Sequence, residues 1–188
     1  MIKIGITGSL ASGKTTVSEI ISKQRGSVFS ADKTVKELYK KKVVKKKILK
    51  ALNISKSNNL KKVIKDKISK NKEILKKLEN ILHPLVRKQM LIFFKRNKNK
   101  KYLFCEIPLL IESKLTKHFD VIIFVKSKKK IRLKRYISKG GNSTLFSLLD
   151  KHQLEDNKKM KFCDHIVVNN KSLVVLKNNL SNIMNFYE

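Results

Sequence analysis

Tryptophan is absent from this 188-residue sequence, which also holds only two cysteines, two prolines, six glycines and 14 acidic residues. Each shortage excludes something. Cys105 and Cys163, each inside an apolar run, cannot build a disulfide framework or a four-cysteine zinc site, and they suit buried thiols in a reducing compartment. No stretch approaches the ~18 consecutive apolar residues of a membrane-crossing helix. Met1-Ile2-Lys3-Ile4-Gly5-Ile6 runs straight into a strand-like pattern, with no apolar signal region and no cleavage site. The expectation is a cytoplasmic protein without a membrane partner. With no tryptophan and 7% aromatics, a stacking platform for single-stranded nucleic acid is poorly supplied.

Against these shortages stand 45 lysines and arginines, for a net charge of +31. Such an excess attracts polyanions weakly and without specificity. Yet only five of the 45 are arginine, the better reader of bases and phosphates, and the lysines spread from Lys36 through Lys177 instead of forming one stripe. The distribution fits lysine as the default surface residue, and no specific nucleic-acid partner is expected. Hydrophobic residues at 41% are enough for a core, and the length suits one domain with an inserted lobe.

Periodicity sets the expected order of elements. Residues 2–7 form a short apolar strand that ends in a glycine-rich turn, and residues 15–24 carry Val17, Ile20 and Ile21 at helical spacing. A second strand is expected at 27–31. Lysine-rich helices then fill 33–97, broken by the polar 53–59 segment and by His83-Pro84. Strands return at 102–106, 121–125 and 165–168, with helices at 128–138, 145–159 and 172–186. Lys139-Gly140-Gly141-Asn142 reads as a hinge between two of them. Strands alternating with helices predict an α/β fold with a parallel sheet of about five strands flanked by helices, and the glycine-rich loop of residues 8–15 makes it a P-loop NTPase-type sheet.

The strongest local signal is Gly8-Ser9-Leu10-Ala11-Ser12-Gly13-Lys14-Thr15, which fits G-x-x-x-x-G-K-[ST] between a strand and a helix. Such a loop cradles phosphates with its amides and with the dipole of the helix that follows. Gly8, Ala11, Ser12, Gly13, Lys14, Thr15 and Thr16 are therefore the expected nucleotide-binding residues. Lys14 would reach the β- and γ-phosphates, and the Thr15 hydroxyl would bind Mg²⁺. Phosphoryl transfer also needs carboxylates, which in an open sheet belong at the carboxyl ends of strands. Asp32 follows the second strand and Glu106 ends the third. Position leaves Asp32 either a catalytic use or the capping of the next helix, and leaves Glu106 either a site role or a buried structural one. Arg132 and Arg135, three residues apart on an expected helix, offer the planar fork that lysine lacks; the alternative for one of them is an ordinary surface ion pair.

With these segments in place, the chain resembles the dephospho-CoA kinases over nearly its whole length. The resemblance rests on the loop through Val17, on Ser30-Ala31-Asp32, on Ile81-Leu82-His83-Pro84-Leu85-Val86-Arg87 and on Glu106-Ile107-Pro108-Leu109-Leu110-Ile111-Glu112. It continues through Leu133-Lys134-Arg135, Gln153 and Cys163-Asp164-His165-Ile166-Val167-Val168-Asn169-Asn170. It implies that ATP, with Mg²⁺, phosphorylates the ribose 3′-hydroxyl of dephospho-CoA. It also implies catalytic roles for Lys14, Asp32 and Arg135, substrate contacts from Asp32, His83, Pro84 and Glu112, and a metal held by Thr15 and, through water, by Glu106. The implied layout is one kinase domain with a core of 1–32, 99–135 and 160–188, a CoA-binding helical insertion of 33–98 and a lid of 136–159. His83-Pro84 also reads as a proline in the first turn of a new helix.

The chain departs from that pattern at Ser30, where the family has an aspartate, at Ser9 and Ala11, where its loop has glycine, and at Lys139, where it often has arginine. These changes bear on turnover more than on reaction class. Three other readings stay open: a different small P-loop nucleotide or nucleoside kinase, a basic NTP-dependent nucleic-acid-binding protein, and an inactive nucleotide-binding remnant.

Overall fold

The computed structural model describes residues 1–23, 25–55 and 60–188. In chain order the elements are β1 (Ile2–Thr7), α1 (Lys14–Ser22), β2 (Gly26–Ser30), α2 (Ala31–Lys40), α3 (Lys42–Ala51), α4 (Leu60–Lys70), α5 (Lys72–Arg96), β3 (Tyr102–Glu106), β4 (Val121–Lys126), α6 (Lys129–Ile137), α7 (Ser143–His152), α8 (Asp156–Met160), β5 (His165–Val168) and α9 (Leu173–Asn185). They divide into two units, Met1–Ser30 with Phe94–Glu188, and Ala31–Phe93.

The first unit is built on a five-stranded parallel sheet in the order β2-β3-β1-β4-β5. All five residues of β3, and all of β4 but its last, are buried, as continuous apolar runs in a parallel sheet require. The core on one face joins Ile4, Ile6, Phe104 and Ile123 to Val17 and Ile21 of α1 and to Leu176 and Leu180 of α9. β1 lies at the centre of the sheet, so its carboxyl end opens between the ends of β3 and β4. That is where such sheets bind ligands.

The second unit is helical, and its core is written in four-residue steps: Val44, Ile48 and Leu52, then Leu60, Ile64 and Ile68, then Leu78, Leu82, Val86 and Met90, all buried. One stripe of each helix faces inward, which leaves the lysines of the other faces in water.

Two expectations are corrected. His83-Pro84 does not interrupt the helices: α5 runs unbroken through Pro84. A proline inside a helix costs about 3 kcal/mol, but the four apolar side chains of that stripe each contribute about 1.5–3 kcal/mol on burial. The single helical stretch expected at 145–159 is two helices, parted by extended backbone at Gln153. The first of them starts early because the Asn142 side chain accepts the Leu145 N–H at 2.8 Å. Gln24, expected to end the first helix, and residues 56–59 of the expected polar break lie outside the described residues. Cys105 is buried as expected, whereas Cys163 is only half-buried. Among the described residues no helix is long and apolar enough to cross a membrane.

Candidate active site

The loop from Gly8 to Gly13 joins β1 to α1, and its two motif glycines are needed for space as well as for conformation. Gly8 has φ +148° and Gly13 φ +98°. A Cβ would lie 2.4 Å from the Val125 carbonyl at Gly8 and 2.1 Å from Asn169 Nδ2 at Gly13. Between them the Ser12 N–H closes a turn onto the Ser9 carbonyl at 3.2 Å. Ala11 stands third in that turn with φ 59°, a conformation that glycine adopts freely. The Ala11 Cβ, where the family loop has glycine, is thus carried in the left-handed region, at about 1 kcal/mol.

The loop carbonyls are held from outside. Arg135 Nη1 donates to the Ser12 carbonyl at 3.2 Å, and Asn169 Nδ2 donates to the same oxygen at 2.9 Å. Arg132 Nη1 donates to the Leu10 carbonyl at 3.2 Å. A planar trans peptide points its C=O and the next N–H in opposite directions. Anchoring the Leu10 and Ser12 carbonyls outward therefore turns the Ala11 and Gly13 N–H groups the other way, into the loop. This is how a backbone becomes an anion nest.

Lys14 opens α1 and is buried, its Nζ donating to the Gly8 and Ser9 carbonyls at 2.9 Å each. Thr15 Oγ1 donates to Glu106 Oε1 at 2.6 Å. Glu106 is buried at the carboxyl end of β3, in register with Ile6 of β1 and with Ser30 of β2. Hydroxyl and carboxylate are hard oxygen donors of the kind Mg²⁺ accepts while it keeps several waters. Among the described residues no group of three or more His, Cys, Asp or Glu side chains could hold a metal alone. With two oxygen donors, Thr15 and Glu106 fit a cation whose other ligands are phosphate and water.

The two candidate arginines part company here. Arg132 is buried in an ion pair with Asp150 at 2.5 Å. Burial by itself would raise the Asp150 carboxyl, but the Arg132 hydrogen bond and charge, helped by Lys129, hold it below the usual value. Arg135, besides gripping Ser12, donates to the Asn169 carbonyl at 3.1 Å. Of the expected site residues, Gly8 to Thr16, Glu106, Glu112 and Arg135 lie in the sheet unit. Asp32, His83 and Pro84 lie in the helical unit: Asp32 is exposed in the first turn of α2, where an acid complements the helix dipole, His83 is half-buried and Pro84 exposed. Glu112 Oε1 is already engaged, by Lys159 Nζ at 2.7 Å and by the Leu154 N–H at 3.1 Å.

The pattern search assigned no role to Asn169, Asp150, Asp156 or Lys159. Asn169 carried a usable signal, because it follows β5 at the carboxyl edge of the sheet. Asp156, which accepts from Ser9 Oγ, and Lys159, one lysine among forty, carried none.

The sequence model of the dephospho-CoA kinase family matches residues 2–174. The dephospho-CoA kinase of Rickettsia typhi is 32% identical, across 98% of this chain and 96% of that protein. The solved dephospho-CoA kinase from Campylobacter jejuni superposes with a TM-score of 0.62 at 26% identity, covering 99% of this chain and 97% of that one. A Thermus thermophilus protein of 23% identity shares the fold with a TM-score of 0.80, over 98% of this chain and 97% of its own. A family match across almost the whole length, on a chain whose glycine loop, strand ends and arginine meet at the carboxyl edge of the sheet, leads to one assignment: this chain belongs to the dephospho-CoA kinase family.

Proposed function

We propose that this chain transfers the γ-phosphoryl group of ATP to the ribose 3′-hydroxyl of dephospho-CoA, releasing CoA and ADP. The observation that carries the reading is the Gly8–Gly13 nest, its carbonyls pinned outward by Arg132, Arg135 and Asn169, beside Lys14 and the Thr15–Glu106 pair. The inward amides and the α1 N-terminus bind the ATP phosphates. Lys14, which holds the loop carbonyls in the structure, neutralises charge on the transferred group, and Arg135 adds a second cation from the far side of the loop. Thr15, and Glu106 through water, would hold Mg²⁺, which supplies charge neutralisation on the phosphates when bound.

On the acceptor side, Asp32 takes the proton as the ribose oxygen bonds to the γ-phosphorus and the bond from that phosphorus to ADP breaks. His83 and Pro84, with residues 33–98 around them, recognise dephospho-CoA, and residues 136–159 serve as the lid. The reaction belongs in the cytoplasm, where the free thiols Cys105 and Cys163 stay reduced.

Ser30 in the family's aspartate position leaves Asp32 the single carboxylate of that motif. ADP release measured with ATP and Mg²⁺ tests the reading. Dephospho-CoA is expected to stimulate it, and adenosine monophosphate and other nucleotides are not. Preference for a nucleotide acceptor would transfer the chain to another P-loop kinase activity.

A further inference from the structure

Among the described side chains two lysines are buried, in a protein that leaves most of its lysines in water. One is Lys14 of the phosphate loop. The other, Lys159 on α8, is 0% exposed and, although it ends the implied lid, has no role of its own in the family reading. Burying an ammonium costs several kcal/mol unless its donors are met, so its partners show what the burial achieves. Its Nζ contacts Glu112 Oε1 at 2.7 Å and Gln153 Oε1 at 3.4 Å. Gln153 Oε1 also accepts the backbone N–H of Leu10, the third residue of the phosphate loop, at 3.2 Å.

The chemistry of this chain of contacts is directional. A glutamine amide can present either its oxygen or its NH₂. Leu10 N–H is a donor only, and so is an ammonium. With both converging on one point, the oxygen must face the loop, and the charge on Lys159 makes the flipped amide unfavourable. Glu112 holds Lys159 in place and, through the Leu154 N–H, also fixes the backbone that carries Gln153. The Leu10 carbonyl is meanwhile bound by Arg132. Both main-chain groups of Leu10 are thus held, the carbonyl from α6 and the amide from the segment between α7 and α8.

We infer that Lys159 is a positioning residue: acting through Gln153, it sets the Leu10 amide and with it the shape of the phosphate loop before nucleotide arrives. The inference rests on the kinase reading for its consequence, ATP affinity, but its immediate effect is on the loop itself. Two measurements separate the levels, both on the full chain: hydrogen exchange at the Leu10 amide, and ATP binding by calorimetry.

Lys159→Met alone leaves the half-buried Glu112 without its cation and is expected to destabilise the fold. Lys159→Met with Glu112→Gln removes the pair together and keeps the comparison clean. In that double variant, and in Gln153→Met, Leu10 exchange should speed up by about tenfold and ATP affinity fall by about tenfold, the value of one hydrogen bond. Joining Gln153→Met to the double variant should add nothing, because both act on one contact. Unchanged Leu10 exchange in the double variant, or losses that multiply when the changes are joined, would overturn the proposal and leave Lys159 a structural ion pair. If the unaltered chain bound no ATP while Leu10 exchange still responded as described, the kinase reading would fall and the positioning role would stand.

Discussion

The sheet unit and the helical unit use the same lysine-rich composition in opposite ways. Residues 31–93 hold 20 lysines and arginines against five acids, and the described lysines there lie on helix faces turned away from the Val44, Ile64 and Leu82 stripes. In the sheet unit, four cations among the described residues are built into the structure, each on the phosphate loop or one step from it: Lys14 on the Gly8 and Ser9 carbonyls, Arg132 with Asp150, Arg135 on Ser12, and Lys159 with Glu112 and Gln153. Charge therefore carries information only where a second element has closed over it. The net +31 is mostly a surface property, while a few charges do the positioning.

That contrast can be broken at graded cost. Lys14→Ala removes an oriented cation from the loop and is expected to lower turnover by about 10²–10³-fold, with the fold intact by circular dichroism. Asp32→Asn, in the other unit, should slow turnover by about 10²-fold while ATP affinity, measured by calorimetry, stays within about twofold. A collapse of ATP affinity would move Asp32 to the nucleotide side.

Arg132→Met leaves Asp150 without its buried partner and should cost about 3 kcal/mol in urea unfolding. Because the Asp150 carboxyl is held below its ordinary value of 3.8, the pair stabilises the fold fully above that pH. Its contribution fades as pH falls through the lowered folded-state value, so the gap between the parent chain and Arg132→Met should narrow below pH 3.8. Ala11→Gly should relieve the left-handed strain and raise stability by up to about 1 kcal/mol, read from the same curves. At the far end, Lys46→Gln on the exposed face of α3 should shift stability by less than about 0.5 kcal/mol.

What the sequence made legible follows the range of the interactions involved. The five strands and the phosphate loop were readable because their signals are local: an apolar run, a glycine at each end, a lysine and a hydroxyl after it. Pro84 misled for the same reason, since a local rule about proline says nothing of the Leu78-to-Met90 stripe that carries the helix past it. Gln153 reads as helical from its neighbours in sequence, whereas its backbone is extended and its side chain meets Leu10, 143 positions away. Residue type points to Arg132 and Arg135, but only the fold shows that both grip the loop and that Arg132 also meets an aspartate. Lys159 was beyond reach, because burial leaves no mark on a residue that occurs forty times.

Mass spectrometry of the purified chain incubated with ATP, Mg²⁺ and dephospho-CoA tests the central claim most directly. The account predicts CoA, phosphorylated at the 3′ position, formed one for one with ADP and slowed by about 10²–10³-fold in Lys14→Ala. ADP accumulating with dephospho-CoA left unmodified, or CoA formed equally well without Lys14, would contradict it.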